Sequence, residues 1–127
     1  GDHLTIFDPA TSLQWTLRVY SRGHHADCEP LTATDTAIQF KAFGYVNTWT
    51  PKAVYVKLPS GIWTLATMHD VPHLSGSIKD NDFDGHLCVH FLRTLEECEA
   101  NDPNYGMTHQ LAIRKKWKEM TGLDIPD

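Results

Sequence analysis

The chain has 127 residues, 41% hydrophobic and 21% charged, which fits one globular domain able to bury a core without metals or disulfides. A net charge of -5 excludes a surface built to neutralise nucleic-acid phosphates, and no segment has the apolar length of a membrane span. Three cysteines, Cys28, Cys88 and Cys98, are too few for a disulfide framework.

The first two runs, "HLTIFD" and "QWTLRVYS", alternate apolar and polar residues around Pro9-Ala10-Thr11-Ser12, a hairpin pattern. In "PLTATDTAIQFKAFG", Thr32 precedes Asp35 by three residues and Ala37, Ile38 and Phe40 recur near helical spacing, which predicts a short amphipathic helix before Gly44. "KAVYVKL" and "IWTLATM" flank Pro59-Ser60-Gly61 as a second hairpin. A Gly, Ser, Asp and Asn-rich loop runs from about Asp70 to Gly85, long enough that a function is its usual reason for existing. After it, Leu87, Val89 and Phe91 alternate with His86, Cys88 and His90, so both histidines and the thiol share one face of a strand. "EANDPNYGM" reads as a linker. The chain closes with a helix from about Thr108 to Thr121 ending at Gly122, with Leu111, Ala112, Trp117 and Met120 among charges. The basic run Arg114-Lys115-Lys116-Trp117-Lys118 complements that helix's dipole, and His109 reads as a surface residue.

Two chemistries compete at Cys88. His86 and His90 have the spacing of the zinc-peptidase helix motif, but Leu87 stands where that motif needs a Glu. On a strand, His86, Cys88 and His90 offer zinc ligands, with a fourth from His25, Asp27 or His73. Alternatively Cys88 is a nucleophile whose proton goes to an imidazole distant in sequence, for which His73, across the loop, is the candidate and His69 the weaker one. A buried, inert thiol is the structural alternative. His25 and Asp27 point to the same side if their segment is a strand; otherwise Asp27 and Glu29 are charges preceding a helix. The four tryptophans, Trp15, Trp49, Trp63 and Trp117, are expected in core and cleft walls.

The stretch "HLSGSIKDNDFDGHLCVHF", His73 to Phe91, resembles the signature of the L,D-transpeptidase catalytic domain. "GHHADCEPLTATDTA" and "DNDFDGHLCVHF" are similar to the "THADVEPLTAADTA" and "NDFNGHFCIHF" patterns of a divergent bacterial cell-wall branch of that family. The resemblance implies that Cys88 is the acylated nucleophile, His73 its base and His86 an imidazole lining the oxyanion and substrate pocket. It places His90 beside the substrate and gives the Leu74 carbonyl the role of orienting His73. Gly85 departs from the family's Ser or Thr, Leu87 from its Gly, and only 11 residues separate His73 from Gly85.

The expectation is therefore one mainly β domain, an L,D-transpeptidase-like β-sandwich with one short helix between hairpins and a C-terminal helix. Its catalytic residues are Cys88, His73 and His86, with His90, His25 and Asp27 toward substrate. It transfers or hydrolyses acyl groups of peptidoglycan stem peptides through a Cys88 thioester, without metal or cofactor. The abrupt start at a strand suggests a domain excised from a longer exported protein of the cell wall or extracellular space, in which Cys28 and Cys98 would pair. The alternatives are a non-catalytic cell-wall binding module on the same fold and a zinc-dependent peptidase.

Overall fold

The computed structural model describes residues 2–23 and 25–126. The two expected hairpins are β1 (His3–Asp8) with β2 (Leu13–Arg22), and β4 (Lys52–Lys57) with β5 (Trp63–Met68). Asp8 fixes the first turn, its carboxylate accepting from the Ala10 N–H and the Thr11 hydroxyl and pairing with Lys52 at 3.1 Å. In the second turn Gly61 takes a φ of 90°, a conformation that side chains oppose. The strand bearing the cysteine is β6 (Leu87–His90).

One strand was not expected. β3 (Ala26–Pro30) lies between β2 and β6, so Asp27 and Glu29 are strand residues and not charges preceding a helix. With it, six antiparallel strands close into one barrel in the order β1-β2-β3-β6-β5-β4, in place of a two-sheet sandwich. Closure gives each of the six described strands a neighbour on both sides. Alternate residues fill the interior: Leu4 and Ile6, Trp15 and Leu17, Cys28, Val54 and Val56, Ala66 and Met68, Leu87 and Val89 are all buried.

The first helix, α1 (Ala33–Ala42), has the expected capping box: the Thr32 side chain accepts from the Asp35 N–H while the Asp35 carboxylate accepts from the Thr32 N–H. The segment read as a linker is partly helical. α2 (Leu95–Asn101) is capped by Thr94, which accepts from the Glu97 N–H at 3.1 Å, and α3 (Tyr105–Thr121) begins three residues before the expected start. Gly122, at a φ of 75°, ends α3 as expected. The face α3 buries is His109, Gln110 and Ile113, whereas Leu111, Trp117 and Met120 are exposed. His109, expected on the surface, is fully buried because α3 packs across β5, where its Nδ1 lies 2.9 Å from the Thr67 hydroxyl. Of the tryptophans, Trp15 is core, while Trp63 and Trp117 are half exposed on the surface.

Cys28 and Cys98 do not pair: Cys28 points into the barrel and Cys98 sits in α2, its thiol donating to the Asp102 carbonyl at 3.3 Å.

Candidate functional site

The site is built on the outer wall of the barrel, where β3 and β6 run side by side. Asp27 is directly opposite Cys88 in the antiparallel register, so pleating sends both side chains to the same face. The loop after β5 crosses that face. It is pinned at its far end by Glu29, a fully buried carboxylate that accepts from the Ser77 N–H, the Ser77 hydroxyl at 2.7 Å and the Ile78 N–H at 2.9 Å. Next to β6 it is closed by a backbone bridge, in which His73 and His86 exchange N–H to carbonyl bonds of 3.0 Å in both directions. That bridge is what carries His73 over the strand.

Gly85 explains one departure from the family pattern. Its φ is 125°, and a Cβ there would lie 2.6 Å from the His73 carbonyl oxygen and 2.8 Å from that of Leu74. Neither Ser nor Thr fits without breaking the bridge. Gly76 is held as tightly, since a Cβ would meet Glu29 and the Gly85 carbonyl, each at 2.6 Å.

The resulting geometry joins the expected nucleophile and base. His73 Nε2 is 3.6 Å from Cys88 Sγ, and His73 Nδ1 is 3.0 Å from the Val71 carbonyl oxygen. A carbonyl only accepts, so Nδ1 carries the proton and Nε2 presents its lone pair to the thiol. The orienting carbonyl is thus that of Val71; Leu74, which the resemblance assigned, has an exposed side chain and a φ of 56° and turns its carbonyl toward Gly85. His86 donates from Nδ1 to the Ser75 carbonyl at 2.6 Å and faces Asp27 Oδ1 with Nε2 at 3.6 Å. Asp27 is the hub: His25 Nε2 lies 3.1 Å from Oδ1, Ser21 donates to Oδ2 at 2.6 Å, and Cys88 Sγ is 3.4 Å from Oδ1.

The charges follow from this arrangement. Burial pushes the Cys88 thiol up, and the Asp27 carboxylate beside it pushes it further, so the side chain rests as a neutral thiol. For Asp27 itself burial acts upward, but its bonds from Ser21 and Cys88 and the fields of His86 and His25 outweigh it and hold the carboxyl below its ordinary range. Burial pulls His69 down to about 3, with the neighbouring imidazoles adding to the effect.

A cleft of about 350 Å³ opens onto these groups, lined by His25, Asp27, Trp49, His73, Leu74, His86, Cys88 and Tyr105. A larger cavity of about 420 Å³ lies on the other side of His25, is walled mostly by apolar groups and contains no nucleophile. No family model, curated protein or solved structure matches this chain.

Five of the six expected site residues line the cleft: Cys88, His73, His86, His25 and Asp27. His90 does not. It is fully buried, its ring stacked 3.8 Å from that of His109 at an angle of 12°, and neither of its nitrogens has a hydrogen-bond partner among the described residues. Its side chain therefore stands behind the cleft, away from any substrate lying in it. His69 is no base either, because its Nε2 faces the backbone N–H of Cys88 at 3.1 Å.

Trp49, one of the tryptophans expected in core and cleft walls, packs against the rings of His69 and His73, with centroids at 4.5 and 5.1 Å, and forms one wall. One residue was missed. Tyr105, the first residue of α3, buries its hydroxyl beside the Cys88 thiol. Burial pushes that phenol up, which keeps it a donor at neutral pH.

Proposed function

We propose that this domain is a cysteine acyltransferase or hydrolase of the L,D-transpeptidase kind, acting on the stem peptides of peptidoglycan. One observation carries the reading: His73 Nε2 stands 3.6 Å from Cys88 Sγ while its Nδ1 is held by the Val71 carbonyl. Nucleophile, base and orienting acceptor are thus present together. The sequence resemblance of His73 to Phe91 supplies the substrate class and an export to the cell wall, and the closed barrel stands in this reading where the family's sandwich was expected.

The chemistry begins from the neutral pair. As Cys88 Sγ attacks the carbonyl carbon of the amide between an L-centre and a D-residue, the S–H turns from Asp27 Oδ1, which it faces at rest, and its proton passes to His73 Nε2. The carbonyl oxygen becomes an oxyanion, and the hydroxyl of Tyr105, which lines the same cleft, is a donor available to it. His73 then gives the proton to the departing amine as the C–N bond breaks, leaving a thioester on Cys88. An acceptor amine, or water, repeats the sequence in reverse with His73 as base. Holding the thiol neutral until substrate arrives fits general-base catalysis better than a standing thiolate.

The raised thiol and its closeness to Asp27 also favour a second reading, a cell-wall binding module that keeps the fold without turnover. A single assay separates the two. Purified domain is incubated with a stem tetrapeptide and a D-amino acid acceptor, and products are followed by mass spectrometry. Exchange or cleavage that is abolished in Cys88→Ser and reduced in His73→Gln supports acyl transfer; binding of peptide with no product in the wild type supports the module.

A further inference from the structure

The same wall of the barrel holds a second, unassigned arrangement of donor atoms. Asp27 Oδ1, His86 Nε2 and Cys88 Sγ all lie within 4.8 Å of one another, with Sγ to Oδ1 at 3.4 Å and Oδ1 to Nε2 at 3.6 Å. A tetrahedral zinc ion with ordinary bond lengths sets its sulfur and oxygen ligands about 3.5 Å apart and its nitrogen and oxygen ligands about 3.3 Å apart. The Sγ to Oδ1 and Oδ1 to Nε2 spacings are within a few tenths of an ångström of these.

The surroundings point the same way. His86 Nδ1 donates to the Ser75 carbonyl, the outer bond that fixes the tautomer of a metal-ligating histidine and aims Nε2 inward. Asp27 is steadied by Ser21 on Oδ2 and His25 on Oδ1. His86 Nε2 and Asp27 Oδ1 thus face each other across a gap that a cation ligated by both would fill. Thiolate, imidazole and carboxylate together suit zinc among the common divalent ions. His73, also 3.6 Å from Sγ, belongs to a different donor group with His69, and His25 and His90 to a third; Cys88 is common to all three.

We propose that Asp27, His86 and Cys88 form a three-ligand site for a zinc-class divalent ion, and that the bound ion withholds the thiol from acyl chemistry. Binding is balanced by one proton: the Cys88 S–H bond breaks, the S–metal bond forms, and the proton leaves to solvent. The ion site stands without the acyl-transfer reading; the withholding rests on it.

The test titrates chelator-treated wild type with cobalt(II), then zinc. The expected result is one cobalt per chain with a thiolate charge-transfer band, displaced by zinc, lost in Cys88→Ser, and weakened at least about 100-fold in Asp27→Asn and His86→Gln, beyond the usual cost of an outer-shell loss. His90→Gln should bind as wild type does. Melting curves check that each variant is folded, and zinc should block iodoacetamide labelling of Cys88 until chelator is added. Absence of the band in wild type overturns the site, as does a band unchanged in folded Asp27→Asn and His86→Gln. If the band forms but metal-free protein turns over no stem peptide, the site stands and the acyl-transfer reading falls.

Discussion

Replacing Asp27 by Asn tests the electrostatics of the nucleophile directly. The carboxylate oxygen is 3.4 Å from Cys88 Sγ, and its charge opposes ionisation of the thiol. Two unit charges at that distance repel by about 1 kcal/mol in a water-like medium and about 5 kcal/mol at the effective dielectric of a partly buried pair. At about 1.4 kcal/mol per pH unit this spans roughly one to three and a half units. The neighbouring His25 and His86 offset part of the charge, which favours the lower end. Asp27→Asn should therefore lower the Cys88 pKa by at least about one unit. Each unit multiplies the thiolate fraction tenfold at a cost of about half a log unit in intrinsic nucleophilicity, a net gain of about threefold. The assay is the pH profile of Cys88 alkylation by iodoacetamide in folded protein, with the site confirmed by peptide mapping. A profile that stays in place or moves to higher pH in the variant refutes the reasoning.

Three further outcomes follow from the geometry. Glu29→Ala leaves the Ser77 and Ile78 N–H groups without their acceptor, and should cost roughly 3 kcal/mol in denaturant unfolding and release the loop to protease. Gly85→Ala should destabilise by about 1 to 3 kcal/mol and slow stem-peptide turnover, because the new Cβ strikes the His73 carbonyl; unchanged kinetics would show that the His73–His86 bridge is not needed. His109 is pulled down to about 4, by burial and then by the field of His25, so its stabilisation is whole above its unfolded value near 6.5 and fades as pH falls toward 4. The loss is about 3 kcal/mol, and the pH slope of unfolding over that window should be shallower in His109→Gln.

Much of the site could be read from the sequence because it rests on a period of two. The alternation of Leu87 and Val89 with His86, Cys88 and His90 put the thiol and histidines outside the barrel and the aliphatic groups inside, as the structure has them. What alternation does not contain is register. Nothing local says that Asp27 pairs with Cys88, since that contact joins residues 61 apart in sequence, and Ala26–Pro30 carries too few β-branched residues to declare a strand. Without that strand, closure into a barrel could not be foreseen. The signal for α2 is Thr94 three residues before Glu97, a cap followed by only two turns of helix before the Pro and Gly of the next segment. His109 reads as a surface residue because the apolar stripe of the helix suggests its buried face, whereas α3 packs polar rings against a wall of histidines; Tyr105 lies in the segment read as a linker, where nothing local marks the start of a helix. His90 shares the face of Cys88, but α3 covers that end of the strand, so a common face did not become a common cleft.

The most direct measurement is the intact mass of the metal-free domain after incubation with a carbapenem, a ring-strained acyl donor that traps a nucleophilic cysteine. One acyl adduct per chain, mapped to Cys88, absent in Cys88→Ser and formed more slowly in His73→Gln, is the expected result. A wild-type protein that stays unmodified while its folded state and free thiol are verified, or an adduct that persists in Cys88→Ser, contradicts it.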